Sequence, residues 1–197
     1  MQTPTDIIKH FYPFDEDSFV GWALENGHDP EQILEDSKSL GTAVHKLCLE
    51  GIEESDDERV KKAGQIWNDW CKDNDVKILE VEKKVYYSED GEVLYYGYID
   101  AIMEIKGEKY IVDLKAWGIW DKDAKELKEA IGEKKTKANL QTALYWLCEE
   151  KYKRAVIHLT HNGIRLYEQK RFPRKKIEEC LEYCREQNKV TNYLFSN

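Results

Sequence analysis

The stretch 95–117 constrains the fold more than any other. Apolar and polar residues alternate on both sides of Lys106-Gly107, which is the period of a half-buried strand. The glycine supplies the positive φ that a tight hairpin turn needs. With those two residues at the turn, Ile105 faces Glu108, Glu104 meets Lys109, Ile102 meets Ile111 and Asp100 meets Asp113. The Glu104–Lys109 pair favours this register, whereas like charges opposite each other are destabilising and invite a bridging cation. Lys115 lies two residues past Asp113 and so shares its face. Ile99, Ala101, Met103, Ile105, Tyr110, Val112 and Leu114 line the other face as the expected core. The open face then carries Asp100, Asp113 and Lys115 at one end, oxygen ligands suited to Mg²⁺ or Mn²⁺ with an amine beside them. Acid-x-Lys alone is cheap in a chain that is 35% charged; the apolar strand before Lys115 and the partner Asp100 set this instance apart.

The flanking segments complete an α/β pattern. Residues 77–88 read as a strand with Leu79, Val81, Val85 and Tyr87 on one face, turning at Asp90-Gly91 into the next strand. Matching the apolar faces requires an even pairing sum, which places Glu82 on the carboxylate side; one such register sets it opposite Asp100, and registers two residues either way stay open. Upstream, a helix over 39–54, capped by Ser39, places His45, Cys48, Leu49 and Ile52 on one face, where a lone histidine is ordinarily a core residue. A second amphipathic helix over 59–74 carries Trp67 and Trp70. Downstream, a charged helical segment over 121–137 carries Lys122, Lys125, Lys128, Lys134, Lys135 and Lys137, open to either a solvated or a phosphate-contacting role. A helix over 138–151 puts Gln141 and Tyr145 on one face. A second hairpin turns at Asn162-Gly163, and a closing helix over 173–188 begins with Arg174, Lys175 and Lys176. Short helices before residue 39 are expected to form a small cap, with Trp22 and Leu24 packed.

Composition bounds the function classes. A chain of 197 residues with 41% hydrophobic and 12% aromatic content can build a real core. It contains no apolar run of the roughly 18 residues a membrane helix needs. Its N-terminus lacks a basic stretch followed by an apolar one, so a soluble cytoplasmic protein is expected (host cytoplasm, if viral). The net charge of -9 argues against a general polyanion binder. It is unevenly placed, with 10 Lys+Arg and 24 Asp+Glu in residues 1–100 against 20 and 15 in 101–197. A basic surface in the second half is therefore open to it. Five cysteines without a CxxC pair read as buried free thiols.

In order along the chain stand Gly41-Thr-Ala-Val-His45, Gly97-Tyr-Ile-Asp100, Asp113-Leu-Lys115 and Gln141-x-x-x-Tyr145. These motifs, over about half of the chain, resemble the PD-(D/E)xK nuclease superfamily. More narrowly they resemble its RecB-like branch, which includes CRISPR-associated RecB-like exonucleases and many phage and viral nucleases. The resemblance implies a restriction-endonuclease-like mixed sheet flanked by helices over 39–197, preceded by a helical segment over 1–38. It implies a Mg²⁺- or Mn²⁺-dependent deoxyribonuclease, acting as an exonuclease on single strands or DNA ends. His45, Asp100, Asp113 and the Leu114 carbonyl would be metal ligands, with Glu82 an additional one. Lys115 would orient or deprotonate the attacking water. Gln141 and Tyr145 would hold the DNA backbone near it. Lys134, Lys135, Lys137, Arg174, Lys175 and Lys176 would contact phosphates. Ile99 stands in place of the name-giving proline. The cysteine pattern of the iron–sulfur members is missing, so no iron–sulfur cluster is expected. A non-catalytic module binding nucleic acid or a partner on the same fold is the alternative, as is, less readily, a site-specific endonuclease.

Overall fold

The computed structural model describes residues 2–52, 55–116 and 127–195, and their side chains outside 127–133 and 191–195. The elements run α1 (Pro4–Phe11), α2 (Glu16–Glu25), α3 (Pro30–His45), a π-helical turn (Lys46–Glu50) and α4 (Glu58–Asp73). There follow β1 (Val76–Glu89), β2 (Glu92–Ile105), β3 (Glu108–Lys115), α5 (Leu127–Cys148), β4 (Lys153–Thr160), β5 (Gly163–Glu168) and α6 (Arg174–Phe195). The strands form one sheet in the order β1-β2-β3-β4-β5. All neighbours are antiparallel except β3 and β4, which run parallel. The chain is thus α/β, a mixed sheet flanked by helices. Among the described residues no helix is long and apolar enough to cross a membrane.

Two of the three hairpin turns lie where the sequence puts them; the third turns at His161-Asn162, because Gly163 already pairs with Thr160. Lys106 and Gly107 have φ of 51° and 80°, and Asp90 and Gly91 have 50° and 84°, the paired positive angles of a twist-matched two-residue turn. The β2–β3 register is the expected one, with Ile102 opposite Ile111 and Glu104 opposite Lys109. Val81 pairs with Ala101 and Lys83 with Ile99, which leaves Glu82 across from Asp100.

The strict alternation does not survive the length of the strands. Leu79 falls in a register shift and is 43% exposed. Ile99 does not join Ala101 and Met103; it packs with Ile102, Ile111 and Tyr145. The parity changes where Glu82, at φ 49°, faces Asp100, because a left-handed residue breaks the pleat. Nor is the carboxylate face open. Ala101, Met103, Val112 and Leu114 pack under α3 and α4 against Val44, Val60 and Trp67, while Ile102 and Ile111 lie beneath Tyr145 of α5 on the opposite side. Burying both faces excludes water from the middle of the sheet and leaves the site at its edge.

Several helical expectations change. Pro30 and Asp29 start one helix, with Asp29 accepting from the backbone of Glu31 and Gln32, and it continues through Ser39 to His45. The boundary drawn between 38 and 39 therefore falls inside α3. The first helix is no appended cap either, since Ile7 is fully buried with Leu144 and Cys180. By contrast, Trp22 and Leu24 on α2 are largely exposed, as is Ile52 beyond the π turn, where Gly51 at φ 71° ends the helix. The segments expected as separate helices around residue 138 are one helix, α5. Lys122 and Lys125 lie outside the described residues, as does the side chain of Lys128.

Candidate active site

His45, the last residue of α3, is presented to the sheet where the helix loosens into its π turn, a distortion found often at functional positions. Its Nε2 stands 3.1 Å from the carbonyl oxygen of Leu114 and 3.2 Å from Asp100 Oδ2. The same Oδ2 accepts a hydrogen bond from the Leu114 backbone N–H at 2.9 Å. The registered β2–β3 pairs stop at Ala101–Val112, so Asp100 turns to Leu114 instead of facing Asp113 squarely. Like-charge repulsion and the break in pleat at Glu82 account for that departure from the expected pair.

Asp113 is fully buried. Its Oδ1 accepts from Lys115 Nζ at 2.8 Å, and its Oδ2 has no hydrogen-bond partner. An unpaired buried carboxylate oxygen is costly, and its natural complement is a cation. Across the site, Gln141 Nε2 donates to Tyr145 Oη at 3.3 Å. Tyr145 reaches the strands because residue 97 is glycine. A Cβ there would meet Tyr145 Cε1 and Pro4 Cδ, each at 2.8 Å.

The electrostatics separate the two aspartates. Burial pushes Asp113 up to about 6, Lys115 opposes this and the Asp100 charge adds to it. Asp100 is held below its ordinary value even though burial disfavours its charge, because His45 and Lys115 favour the carboxylate. The reciprocal effect raises His45 against its own desolvation. Lys115 is likewise raised by both carboxylates although burial works the other way, and Tyr145 is raised by burial. Glu82 is raised by desolvation and then by Asp100, which places it at the rim of the same cluster.

The sequence-named residues His45, Glu82, Asp100, Asp113, Leu114, Lys115, Gln141 and Tyr145 are therefore brought together. Among the described residues, no three His, Cys, Asp or Glu side chains stand as a ready-made metal cluster; His45 and Asp100 lie beside the Leu114 carbonyl, and Asp113 Oδ1 is engaged by Lys115.

Lys134, Lys135 and Lys137 stand on α5, the helix that carries Gln141 and Tyr145. Lys135 lies 4.2 Å from the Tyr167 ring on β5. Arg174, Lys175 and Lys176 line a cavity with Asn139, Arg171 and Pro173. Lys176 is tied to Glu179 at 2.7 Å and lies over Phe11 at 4.1 Å. The five cysteines are free thiols, and burial pushes Cys48 and Cys180 up to about 12, so these two are inert.

Sequence reasoning misses one neighbour. His158, buried on β4, is the cross-strand partner of Lys115. No local pattern announces it, because the parallel β3–β4 pairing is made across the whole of α5.

No family model matches the chain, and no curated protein does. A solved structure described as "Crystal structure of SSO0001" matches at a TM-score of 0.42 and 16% identity, over 97% of this chain and 76% of that chain, a likeness too slight to carry an argument.

Proposed function

We propose that this chain is a metal-dependent deoxyribonuclease of the RecB-like PD-(D/E)xK type, on a restriction-endonuclease-like core. The observation that carries the reading is the convergence of His45 Nε2, Asp100 Oδ2 and the Leu114 carbonyl beside the unpartnered Asp113 Oδ2. One imidazole nitrogen, two carboxylates and a carbonyl fit Mn²⁺ or Mg²⁺, and Glu82, whose carboxyl feels the Asp100 charge, would be an additional ligand. Bound there, such an ion would make a water nucleophilic at neutral pH and offset charge on the scissile phosphate.

The chain's own groups divide the rest of the work. Lys115 keeps its proton, since its pKa is raised. It therefore donates to the phosphate and stabilises the charge that grows there, in place of acting as the base. Asp113, whose Oδ2 has no hydrogen-bond partner, would give that oxygen to the ion, and the bound cation would hold it as the carboxylate. Tyr145, kept protonated by burial and held by Gln141, positions a phosphate oxygen. The balance is a hydrolysis: water oxygen bonds to phosphorus, the bridging P–O bond breaks, and the leaving oxygen takes the proton.

The test is incubation of the purified protein with end-labelled single-stranded and duplex DNA in Mn²⁺ or Mg²⁺. Cleavage that EDTA abolishes and Mn²⁺ restores is expected, with shortening from an end. Intact DNA in both metals would overturn the reading in favour of a non-catalytic binding module. EDTA-resistant cleavage would overturn the metal mechanism.

A further inference from the structure

We propose that the even-numbered face of the β1–β2 arm is a stacking platform for single-stranded DNA, leading to the carboxylates; the idea rests on the nuclease reading of that site. Beyond Glu82 and Asp100 the next cross-strand pairs are Lys84–Tyr98 and Tyr86–Tyr96. Tyr86 is 52% exposed and Tyr98 44%. The Lys84 ammonium lies 5.3, 5.4 and 5.7 Å from the ring centres of Tyr86, Tyr96 and Tyr98. The Tyr86 and Tyr96 rings are 6.4 Å apart and tilted by 32°.

The alternate tyrosines of the same strands do a different job. Tyr95 is fully buried and donates its hydroxyl to the Leu144 carbonyl at 2.7 Å, and Tyr87 stacks on it at 5.2 Å. Packing explains these two. It leaves Tyr86, Tyr96 and Tyr98 unexplained, since single exposed aromatics are ordinary but two exposed rings and a half-buried third gathered around one cation are not.

The occupant follows from the chemistry of the patch and from where it ends. Aromatic faces beside a lysine accept unpaired bases and a backbone phosphate without regard to sequence. A duplex keeps its base faces stacked inside and cannot use them. Each same-face step along a strand advances about 6.6 Å. The two pairs therefore form successive rungs, and the following rung is Glu82 beside Asp100. A strand lying on the rungs is delivered to the site at its edge, which is the geometry of a single-strand or end-processing nuclease.

The experiment measures binding in Ca²⁺ and needs no cleavage. Fluorescent oligo-dT, the same-sequence RNA and a blunt duplex are titrated against wild type, Tyr86→Ser/Tyr98→Ser, Tyr86→Phe/Tyr98→Phe and Lys84→Gln. The serine pair should bind oligo-dT at least about tenfold more weakly. The phenylalanine pair, which keeps both rings, should stay close to wild type, and Lys84→Gln should flatten the salt dependence by roughly 0.7 log units. An oligonucleotide carrying 5-iododeoxyuridine should photo-crosslink to Tyr86, Tyr96 or Tyr98 in the unmutated protein. Wild-type affinity in the serine pair, crosslinks confined to other segments, or tighter binding of the RNA would each overturn the proposal. So would loss of self-association with unchanged DNA affinity, which would assign the face to a second copy of the chain. Crosslinking at these tyrosines without cleavage would sink the catalytic reading and leave the platform standing; cleavage and binding untouched by the serine pair would do the reverse.

Discussion

Asp113 sets a pH dependence that can be worked out from its surroundings. Buried, with one oxygen unbonded, it keeps its proton up to about 6 against an ordinary 3.8. The unfolded chain releases that proton near 3.8. Between the two values the folded state binds more protons, so stability falls as pH rises. About two pKa units correspond to about 3 kcal/mol, lost between about pH 4 and about pH 7. In a chain of 197 residues that is roughly 6–12 °C in Tm.

Among the neighbouring groups, Glu82 is raised from 4.5, so it acts inside that window and in the same direction as Asp113, while Asp100 and His45 act at its two ends. Asp100 is lowered, so its contribution is present above 3.8 and is lost as pH falls through its folded value. His45 is raised from 6.5, so its contribution is present below 6.5 and is lost as pH rises through its folded value. Lys115 stays charged throughout.

Asp113→Asn removes the titration. Its stability relative to wild type should therefore improve by about 3 kcal/mol from about pH 4 to about pH 7, whatever the fixed effect of leaving Lys115 without its partner. The assay is urea unfolding of both proteins in EDTA across that range. Asp100→Asn should show no such gain, because its carboxylate is paired and the substitution removes a favourable interaction. Parallel stability curves for wild type and Asp113→Asn would refute the claim that burial strains Asp113. Saturating Mn²⁺ at neutral pH should raise the wild-type Tm and leave that of Asp113→Asn almost unmoved.

Three further outcomes are expected. Lys115→Ala should bind DNA in Ca²⁺ within about tenfold of wild type, since a single phosphate interaction is worth about 1.4 kcal/mol or less. Its single-turnover cleavage should fall by a factor on the order of 10² or more, and near-normal cleavage would remove Lys115 from the mechanism. Neutralising Lys134, Lys135 and Lys137 together should lower the salt slope of DNA binding by roughly 0.7–0.9 log units for each phosphate these lysines neutralise; an unchanged slope would return them to a solvated face. Gly97→Ala drives a Cβ to 2.8 Å from Tyr145 and Pro4. It should lower Tm and reduce cleavage together, and a variant with normal activity would show that Tyr145 need not sit where Gly97 lets it.

Legibility in the sequence is uneven, and the residues say why. Asp100, Asp113 and Lys115 can be found because the short turn Lys106-Gly107 fixes the β2–β3 register from within a few residues, whereas β1–β2 shifts register between Tyr87 and Ser88 and again between Ile78 and Glu80. Gln141 and Tyr145 follow from a spacing of four on one helix. Alternation misplaces Ile99 and Leu79 because it runs through a bulge and through a left-handed Glu82, neither of which has a strong local signature. Ser39 looks like a cap and so divides α3 on paper, although nothing near it breaks the helix.

By itself, then, the sequence determined which strands turn back on which, because hairpin register depends on backbone sterics and side-chain alternation between near neighbours. Only the tertiary structure decided that α5 covers the carboxylate face, that the π turn brings His45 to Asp100, and that β4 sets His158 beside Lys115. It also decided which aspartate is strained. Asp100 and Asp113 are the same residue type on adjacent strands. One keeps a lowered pKa beside His45, and the other is raised to about 6 by complete burial. That difference is made by segments docking from across the chain: both carboxylates are desolvated, and α3 brings the His45 imidazole within hydrogen-bond reach of Asp100 and not of Asp113.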